Sequence, residues 1–204
     1  MSATSEAVAI GNLRQRALRA AQALLEANGE AATSLRAIAA ELGTGVGSLY
    51  YHFANKDALL AELAINGFAE LSRWMEMAAN APPGGRTRFN AAGHAYLGFT
   101  RHRPALYALM YNERILAGHD GVRRAEADAF EIYRRSLEGH GIGETEIADV
   151  ALAFWALGRG MAAISCTRGQ PGVAKDIAWR AMRGLQALAG APIPALGLSA
   201  NDAA

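Results

Sequence analysis

The chain has 204 residues, of which 51% are hydrophobic and 19% are charged, so its composition is that of a folded globular protein and excludes a disordered one. The formal net charge of +1 gives no support by itself for a strongly basic nucleic-acid-binding surface. The single cysteine excludes an internal disulfide, and we find no apolar run of the roughly 18 residues that a membrane span needs. Because the first residues also lack the pattern of a signal peptide, we expect a cytoplasmic protein with no membrane partner.

Apolar residues recur at helical spacing along nearly the whole chain, whereas no β-branched alternation typical of a strand is present. The sequence therefore predicts an all-α protein. We expect helices at residues 8–28, 35–42, 46–53, 56–79, 86–101, 104–117, 121–139, 145–167 and 172–189, followed by an irregular tail at 191–204. In the first helix, the residues expected to face the core are Ile10, Leu13, Ala17, Ala20, Leu24 and Ala27.

Residues 34 to 60 predict a helix-turn-helix motif. Ser34 is a favourable N-cap for the second helix. A tight turn needs little bulk where the second and third helices cross, and the glycines there are Gly43, Gly45 and Gly47. Leu49 and Phe53 lie four residues apart, so we expect them to face inward together. In such a motif the N-terminal end of the last helix enters the major groove of DNA.

This placement predicts which residues contact DNA. Residues at the start of the third helix face base edges or nearby phosphates, whereas those at its far end contact phosphates and set the register. The second helix offers free backbone N–H groups to a further phosphate. Packing is an equally open interpretation for Tyr50, and aromatic residues at 51 and 52 could instead close a three-helix core. The predicted DNA-contacting residues are Ser34, Arg36, Thr44, Gly45, Val46, Ser48, Tyr50, Tyr51, His52 and Lys56.

The same segment resembles the TetR family of bacterial transcriptional regulators. The similarity lies in Ile38-Ala39, in Gly43 before the turn, and in the run Gly47-x-Leu49-Tyr50-x-His52-Phe53-x-x-Lys56, and it covers about the first 60 residues. The family usually has Val-Ser or Val-Thr after the turn glycine, whereas this chain has Thr44-Gly45. Gly45 has no side chain with which to cap the third helix or contact DNA.

The resemblance implies a helix-turn-helix DNA-binding domain at 8–55 and a C-terminal helical ligand-binding and dimerisation domain at 56–190. The segment 153–161 is similar to the one that names the WHG subgroup, with Arg159 at the histidine position. An aromatic-rich and methionine-rich middle region suits an apolar effector. Most such residues are ordinary core, but those predicted to contact the ligand are Trp74, Phe89, His94, Tyr107, Met110, Tyr111, Trp155 and Arg159.

The last two predicted helices are more apolar than one monomer can hide, which favours a two-fold four-helix interface. The residues expected there are Val150, Ala151, Phe154, Gly158, Met161, Ala162, Ile177, Met182 and Leu185. Two recognition helices would then lie in successive major grooves, so we expect a homodimer on a near-palindromic double-stranded DNA operator. An effector that tilts the helix at 56–79 would release the DNA, which is the behaviour of a repressor.

Other functions receive less support. Gly43-x-Gly45-x-Gly47 is not a nucleotide-binding loop, since such a loop follows a strand. His119-Asp120 has no second pair at ligand spacing, so we expect no metal, no cofactor and no catalytic residues. Two alternatives remain open: a DNA-binding regulator controlled by a protein or nucleotide partner, and a helical ligand-binding protein that does not bind DNA.

Overall fold

A computed structural model describes residues 3–82, 87–141, 143–168 and 180, and every regular element within those residues is helical. The helices are α1 (Ala3–Ala32), α2 (Leu35–Glu41), α3 (Val46–Tyr50), α4 (Lys56–Asn80), α5 (Arg88–His102), α6 (Pro104–Met110), α7 (Glu113–Gly118), α8 (Asp120–Arg135) and α9 (Glu144–Arg168). The all-α prediction is confirmed. The helix predicted at 172–189 and the tail at 191–204 lie outside the described residues.

The chain divides into two compact units. Unit 1 contains Met1–Glu70 and Arg103–Ala127, and unit 2 contains Leu71–His102 and Asp128–Ala204. Unit 1 therefore includes α1, α2, α3, α6 and α7, whereas unit 2 includes α5 and α9. The division falls within α4 and within α8, so each of these helices contributes to both units.

The inward face of α1 differs from the prediction. Ala17, Ala21 and Leu25 are buried, whereas Leu24 is half-buried and Ala27 is exposed. In a helix of period 3.6, an apolar stripe centred on Leu24 and one centred on Leu25 fit the sequence nearly equally well. The packing of α1 against α2 and α6 selects the stripe centred on Leu25.

The segment predicted as one helix at 104–117 is in fact two helices. The Asn112 side chain accepts hydrogen bonds from the backbone N–H groups of Arg114 (3.0 Å) and Ile115 (3.4 Å), and so caps the start of α7. Asparagine is among the best N-cap residues, and this capping stabilises a break that the apolar spacing did not indicate.

The start of α6 is capped by a residue far away in the sequence. The Glu26 carboxylate on α1 accepts hydrogen bonds from the backbone N–H groups of Ala105 and Leu106, both at 3.2 Å. Arg103, which precedes α6, forms a 3.2 Å ion pair with Glu70 of α4. These bonds join α1, α4 and α6 within unit 1.

Gly67 of α4 lies very close to α6. A Cβ atom built on Gly67 would lie 2.7 Å from Sδ and 2.9 Å from Cγ of the fully buried Met110. Alanine at position 67 would therefore force the Met110 side chain to shift. A glycine within a helix is less favourable than alanine by about 1 kcal/mol.

Gly67→Ala is expected to lower the free energy of unfolding by about 1 kcal/mol, because overpacking costs about 1–3 kcal/mol and the helix propensity gained offsets only part of it. Gly98→Ala is the matched control, since its Cβ would lie at an ordinary 3.8 Å from Trp74. We expect the free energy of unfolding of Gly98→Ala to rise by about 0.5–1 kcal/mol. Urea denaturation of both variants tests this, and a stabilised Gly67→Ala protein would show that Met110 moves aside freely.

In unit 2 an aromatic cluster packs between α5, α8 and α9. Trp155 lies 5.1 Å from Tyr96, 5.6 Å from Tyr133 and 5.7 Å from Phe130, measured between ring centroids. Phe89 lies 5.0 Å from Phe154 and 5.1 Å from Tyr133. The Trp155–Phe130 and Phe89–Phe154 pairs are edge-on, which is a favourable arrangement of aromatic rings, and the other three pairs are tilted.

The expectation that Gly158 faces a dimer interface is wrong for this residue. Gly158 is buried, and a Cβ built on it would lie 3.1 Å from Cε1 of Tyr96. It therefore permits the close approach of α9 to α5. Ala151, Met161 and Ala162 are buried as well, whereas Ile177, Met182 and Leu185 lie outside the described residues.

One segment of α9 is longer and more apolar than the sequence analysis allowed. Glu146–Ile164 has a mean hydropathy of 1.5 and passes the length and composition test for a membrane span. The core helix of a soluble protein passes the same test. The segment also includes Asp149 and Arg159, and 33% of it is buried, including Ala151 and Trp155.

Candidate nucleic-acid interface and effector cavity

The turn between α2 and α3 depends on the backbone of Gly43. This residue has φ +61°, and its N–H donates to Ala40 O (3.2 Å) while the Thr44 N–H donates to Ala39 O (2.9 Å). This is the Schellman arrangement, which favours glycine at the left-handed position. The predicted reason for the glycines was wrong, because Cβ atoms at Gly43, Gly45 and Gly47 would meet nothing within 4 Å.

α3 presents an open surface and is held from behind. Leu49 is fully buried and Phe53 nearly so, as predicted from their spacing. Tyr50 is 54% exposed and Tyr51 is 79% exposed, so neither ring closes the core. The start of α3 has Gly45 as its N-cap, with no side-chain hydrogen bond. The start of α3 therefore has no side-chain cap, while the Tyr50 ring at its end is exposed to solvent.

α2 begins beside this surface. The Ser34 hydroxyl accepts a 3.1 Å hydrogen bond from the Ala37 N–H, which confirms its predicted capping role. Arg36, in the first turn of α2, has an exposed side chain. A guanidinium in this position is able to meet a phosphate from solvent.

Lys56 has a structural role at the end of α1. Its ammonium group donates a 2.7 Å hydrogen bond to the Glu30 backbone oxygen, just after the kink at Gly29, where φ is +77°. An ammonium group has three donors, so others remain for a phosphate. Replacing Lys56 would therefore alter folding as well as any contact to DNA.

Arg114 of α7 forms ion pairs with the end of α1 and the start of α4, close to Lys56. Its guanidinium pairs with Asp57 at the start of α4 and lies 2.6 Å from the Glu30 carboxylate. The hydrogen bond from Arg114 lowers the pKa of the Asp57 carboxyl. These exposed charges connect α1, α4 and α7, and as a network they orient the helix that follows the helix-turn-helix.

Unit 2 contains an apolar cavity of about 40 Å³ between α5, α8 and α9. Its lining is Gly93, His94, Tyr96, Leu97, Tyr133, Phe154, Trp155, Leu157, Gly158 and Met161. No lining residue has a carboxylate, ammonium or guanidinium group. Burial raises the pKa of the Tyr133 hydroxyl, which thus stays protonated at neutral pH.

The opposite face of α9 is exposed and mostly apolar. Leu152 is 58% exposed and Ile164 is 42% exposed, and between them lie the exposed small residues Ala156 and Gly160. These positions recur every four residues, so they share one side of the helix. One helix therefore lines the cavity with one face and offers an apolar face to solvent with the other.

Two family models match the chain. Residues 17–63 match the bacterial regulatory proteins of the tetR family, and residues 89–188 match the tetracyclin repressor-like C-terminal domain. The chain belongs to the TetR family. It is a DNA-binding transcriptional regulator with an N-terminal helix-turn-helix and a TetR-like helical C-terminal domain.

Solved structures share the fold of this chain. A Rhodococcus sp. RHA1 protein of unknown function is 29% identical with a TM-score of 0.68, and the match covers 82% of this chain and 91% of that one. A TetR regulator from Streptomyces coelicolor is 24% identical, with a TM-score of 0.57 and coverages of 76% and 72%. A TetR/AcrR-family regulator from Thermobifida fusca YX-ER1 is 21% identical, with a TM-score of 0.58 and coverages of 80% and 93%. No curated protein matches the chain.

The predicted DNA contacts of this TetR regulator lie together around α2 and α3. Thr44, Val46, His52 and Lys56 are half-buried, and Ser48 is exposed. The His52 ring packs edge-on against Tyr51, with centroids 5.4 Å apart. The set occupies one continuous stretch of unit 1, and its contacts with DNA stay predictions.

The predicted ligand residues do not lie together. His94 and Trp155 line the cavity, whereas Arg159 is exposed and does not. Tyr107, Met110 and Tyr111 belong to unit 1, where Tyr111 packs against Phe68 at 5.4 Å. Trp74 packs against Phe99 at 5.7 Å, and Phe89 packs behind Phe154.

Tyr133 and Gly93 line the cavity but were not predicted from the sequence. Tyr133 lies on a helix dominated by charges, so its burial was not evident from composition. The apolar spacing of Val122, Ala129 and Tyr133 on α8 was the available signal.

Within the described residues, no group of His, Cys, Asp and Glu side chains is placed to bind a metal.

Proposed function

We propose that this TetR-family regulator is a cytoplasmic homodimer that represses transcription from a near-palindromic operator and is released by a small apolar or aromatic effector. The observation that supports this best is the pairing of an open α3 surface with a separate apolar cavity in unit 2. The first suits DNA and the second suits a ligand. No catalytic role is proposed.

The exposed α9 face supports the dimer. Leu152 and Ile164 would be buried in a two-fold contact, and the small residues Ala156 and Gly160 would let a second α9 approach closely. A symmetric dimer presents two copies of α3, which matches an operator with half-sites about 34–36 Å apart.

We assign DNA binding to residues 8–55, and ligand binding and dimerisation to 56–190. The family matches at 17–63 and 89–188 support this assignment. Control would pass through α4, which begins in unit 1 and ends in unit 2. An effector shifts the DNA-bound population only as far as its affinities for the two conformations differ.

The decisive experiment selects fragments bound by the purified full-length protein from the source genome, and includes the DNA upstream of its own gene. We expect one near-palindromic operator to be enriched and bound by two subunits. Binding without sequence preference at low and moderate salt would contradict the proposal, because non-specific binding is electrostatic and salt-dependent.

Arg36→Gln should weaken binding to all DNA sequences alike. Each lost phosphate contact lowers the slope of log affinity against log salt by about 0.9, so the dimer loses about 1.8. Arg73→Gln, which removes another exposed arginine from α4, is the control and should leave the slope unchanged. An unaltered slope in Arg36→Gln would exclude that side chain from the interface.

Ser48→Ala should instead change base preference at one symmetric pair of operator positions. The Ser48 side chain is exposed on α3, and the loss of one base contact costs about 1–3 kcal/mol at that position. Repeating the fragment selection with the variant measures the change. An identical selected operator would show that Ser48 does not contact bases.

A further inference from the structure

The lining of the unit 2 cavity restricts the charge of its ligand. Tyr96, Phe154 and Trp155 contribute aromatic rings, and Leu157 and Met161 contribute aliphatic surface. Because the lining is mainly apolar and has no carboxylate, ammonium or guanidinium group, burying a charged ligand there is unfavourable. The cavity therefore favours a neutral molecule with an apolar body.

One polar side chain that lines this cavity, that of Tyr133, is buried. Tyr133 is only 5% exposed, and its hydroxyl has no hydrogen-bond partner among the described residues. Buried hydroxyls are normally paired, so this group has the capacity to bond a ligand. His94 and Tyr96 also line the cavity, and each makes other interactions in the structure.

Gly93 leaves space beside that hydroxyl. A Cβ built on Gly93 would lie 3.6 Å from the Tyr133 Oη, which is ordinary contact distance. The glycine is not required by close packing of the helices there, and it lacks a positive φ. The missing side chain thus keeps the approach to the hydroxyl open.

We propose that this cavity binds a small neutral compound with an aromatic or short apolar body and one hydrogen-bonding oxygen that pairs with the Tyr133 hydroxyl. The proposal rests on the effector control proposed above, for which it supplies the class of effector. Tyr133 is the specificity-determining residue, and Gly93 provides its access.

The size of the cavity links binding to a conformational change. About 40 Å³ holds a few water molecules, whereas a cavity that binds benzene measures about 150 Å³. A ligand the size of an aromatic ring must therefore bind a conformation of the protein in which this cavity is wider. We expect that widening at the close Gly158–Tyr96 contact between α9 and α5 and at the unbranched Met161 side chain.

The test compares phenol with toluene, which share a ring and differ in the hydrogen-bonding group. Full-length protein labelled at the methionine methyl groups is titrated with each compound, and the Met161 signal is followed by NMR. Tyr133→Phe should weaken phenol about fivefold and leave toluene unchanged, since a neutral hydrogen bond contributes about 1 kcal/mol.

Gly93→Ala provides an independent variant. Its methyl group should block the hydroxyl and reduce phenol binding, while the melting temperature stays level or rises because alanine favours the helix. Tyr133→Phe should also keep its melting temperature, because it keeps the buried ring and removes only the hydroxyl that lines the cavity. Equal weakening of phenol and toluene by Tyr133→Phe, or no Met161 shift with either compound, would overturn the proposal.

A DNA-binding measurement separates this inference from effector control. Tyr133-dependent binding of phenol with unchanged operator affinity would support the ligand site and contradict its role as a switch. Operator binding without a response to either compound would contradict the ligand class and leave the DNA-binding function standing.

Discussion

Replacing Leu152 and Ala156 together by glutamate is expected to convert the proposed dimer to a monomer. Both side chains are exposed on the same face of α9, and a two-fold contact would bring four new carboxylates into one apolar interface. Burying unpaired charges of like sign is strongly unfavourable, so the monomer should dominate at micromolar concentration.

The same variant should lose most of its operator affinity. A dimer binds its second half-site intramolecularly, and this gain is typically about 100-fold or more. Sedimentation and fluorescence anisotropy with the selected operator measure both effects. Met77→Glu is the control, because Met77 is 72% exposed but lies on α4. A dimeric double variant with full affinity would move the interface away from this face.

Glu26→Ala is expected to destabilise the protein by about 1–2 kcal/mol. The substitution removes the carboxylate that accepts hydrogen bonds from the backbone N–H groups of Ala105 and Leu106. The start of α6 is then left without a cap. For a chain of this size the melting temperature should fall by roughly 2–8 °C. Thermal unfolding followed by circular dichroism tests this value.

Glu26→Gln separates capping from charge. Its amide oxygen still accepts hydrogen bonds, so the glutamine variant should recover at least half of the lost stability. If alanine and glutamine destabilise equally, the negative charge itself is the main contribution. An alanine variant as stable as the natural protein would show that water caps α6 equally well.

Local signals in the sequence were sufficient to predict the helix-turn-helix. Ser34 caps α2, and Leu49 and Phe53 are buried, because these features depend on residues three or four positions apart. Gly43 was correctly placed at the turn, but for the wrong reason. Its positive φ and Schellman hydrogen bonds explain it, whereas no neighbouring atom would lie within 4 Å of a Cβ at this position.

Contacts between residues far apart in the sequence could not be predicted from such local signals. Glu26 and the backbone it caps are separated by about 80 positions, and nothing near Glu26 in the sequence indicates the partner. The choice of Leu25 over Leu24 as a core residue was equally undetermined, because both fit a helical period. Packing energy from other helices decides between them.

The sequence by itself determined the all-α class, the helix-turn-helix and the family resemblance, since helical periodicity, caps and turns are encoded over a few residues. Only the tertiary structure decided which aromatic side chains enclose a cavity. It brings Tyr133 beside Gly93, whereas Tyr107 and Met110 pack in the other unit. A cavity is the space left when distant helices pack, so no local pattern specifies its lining.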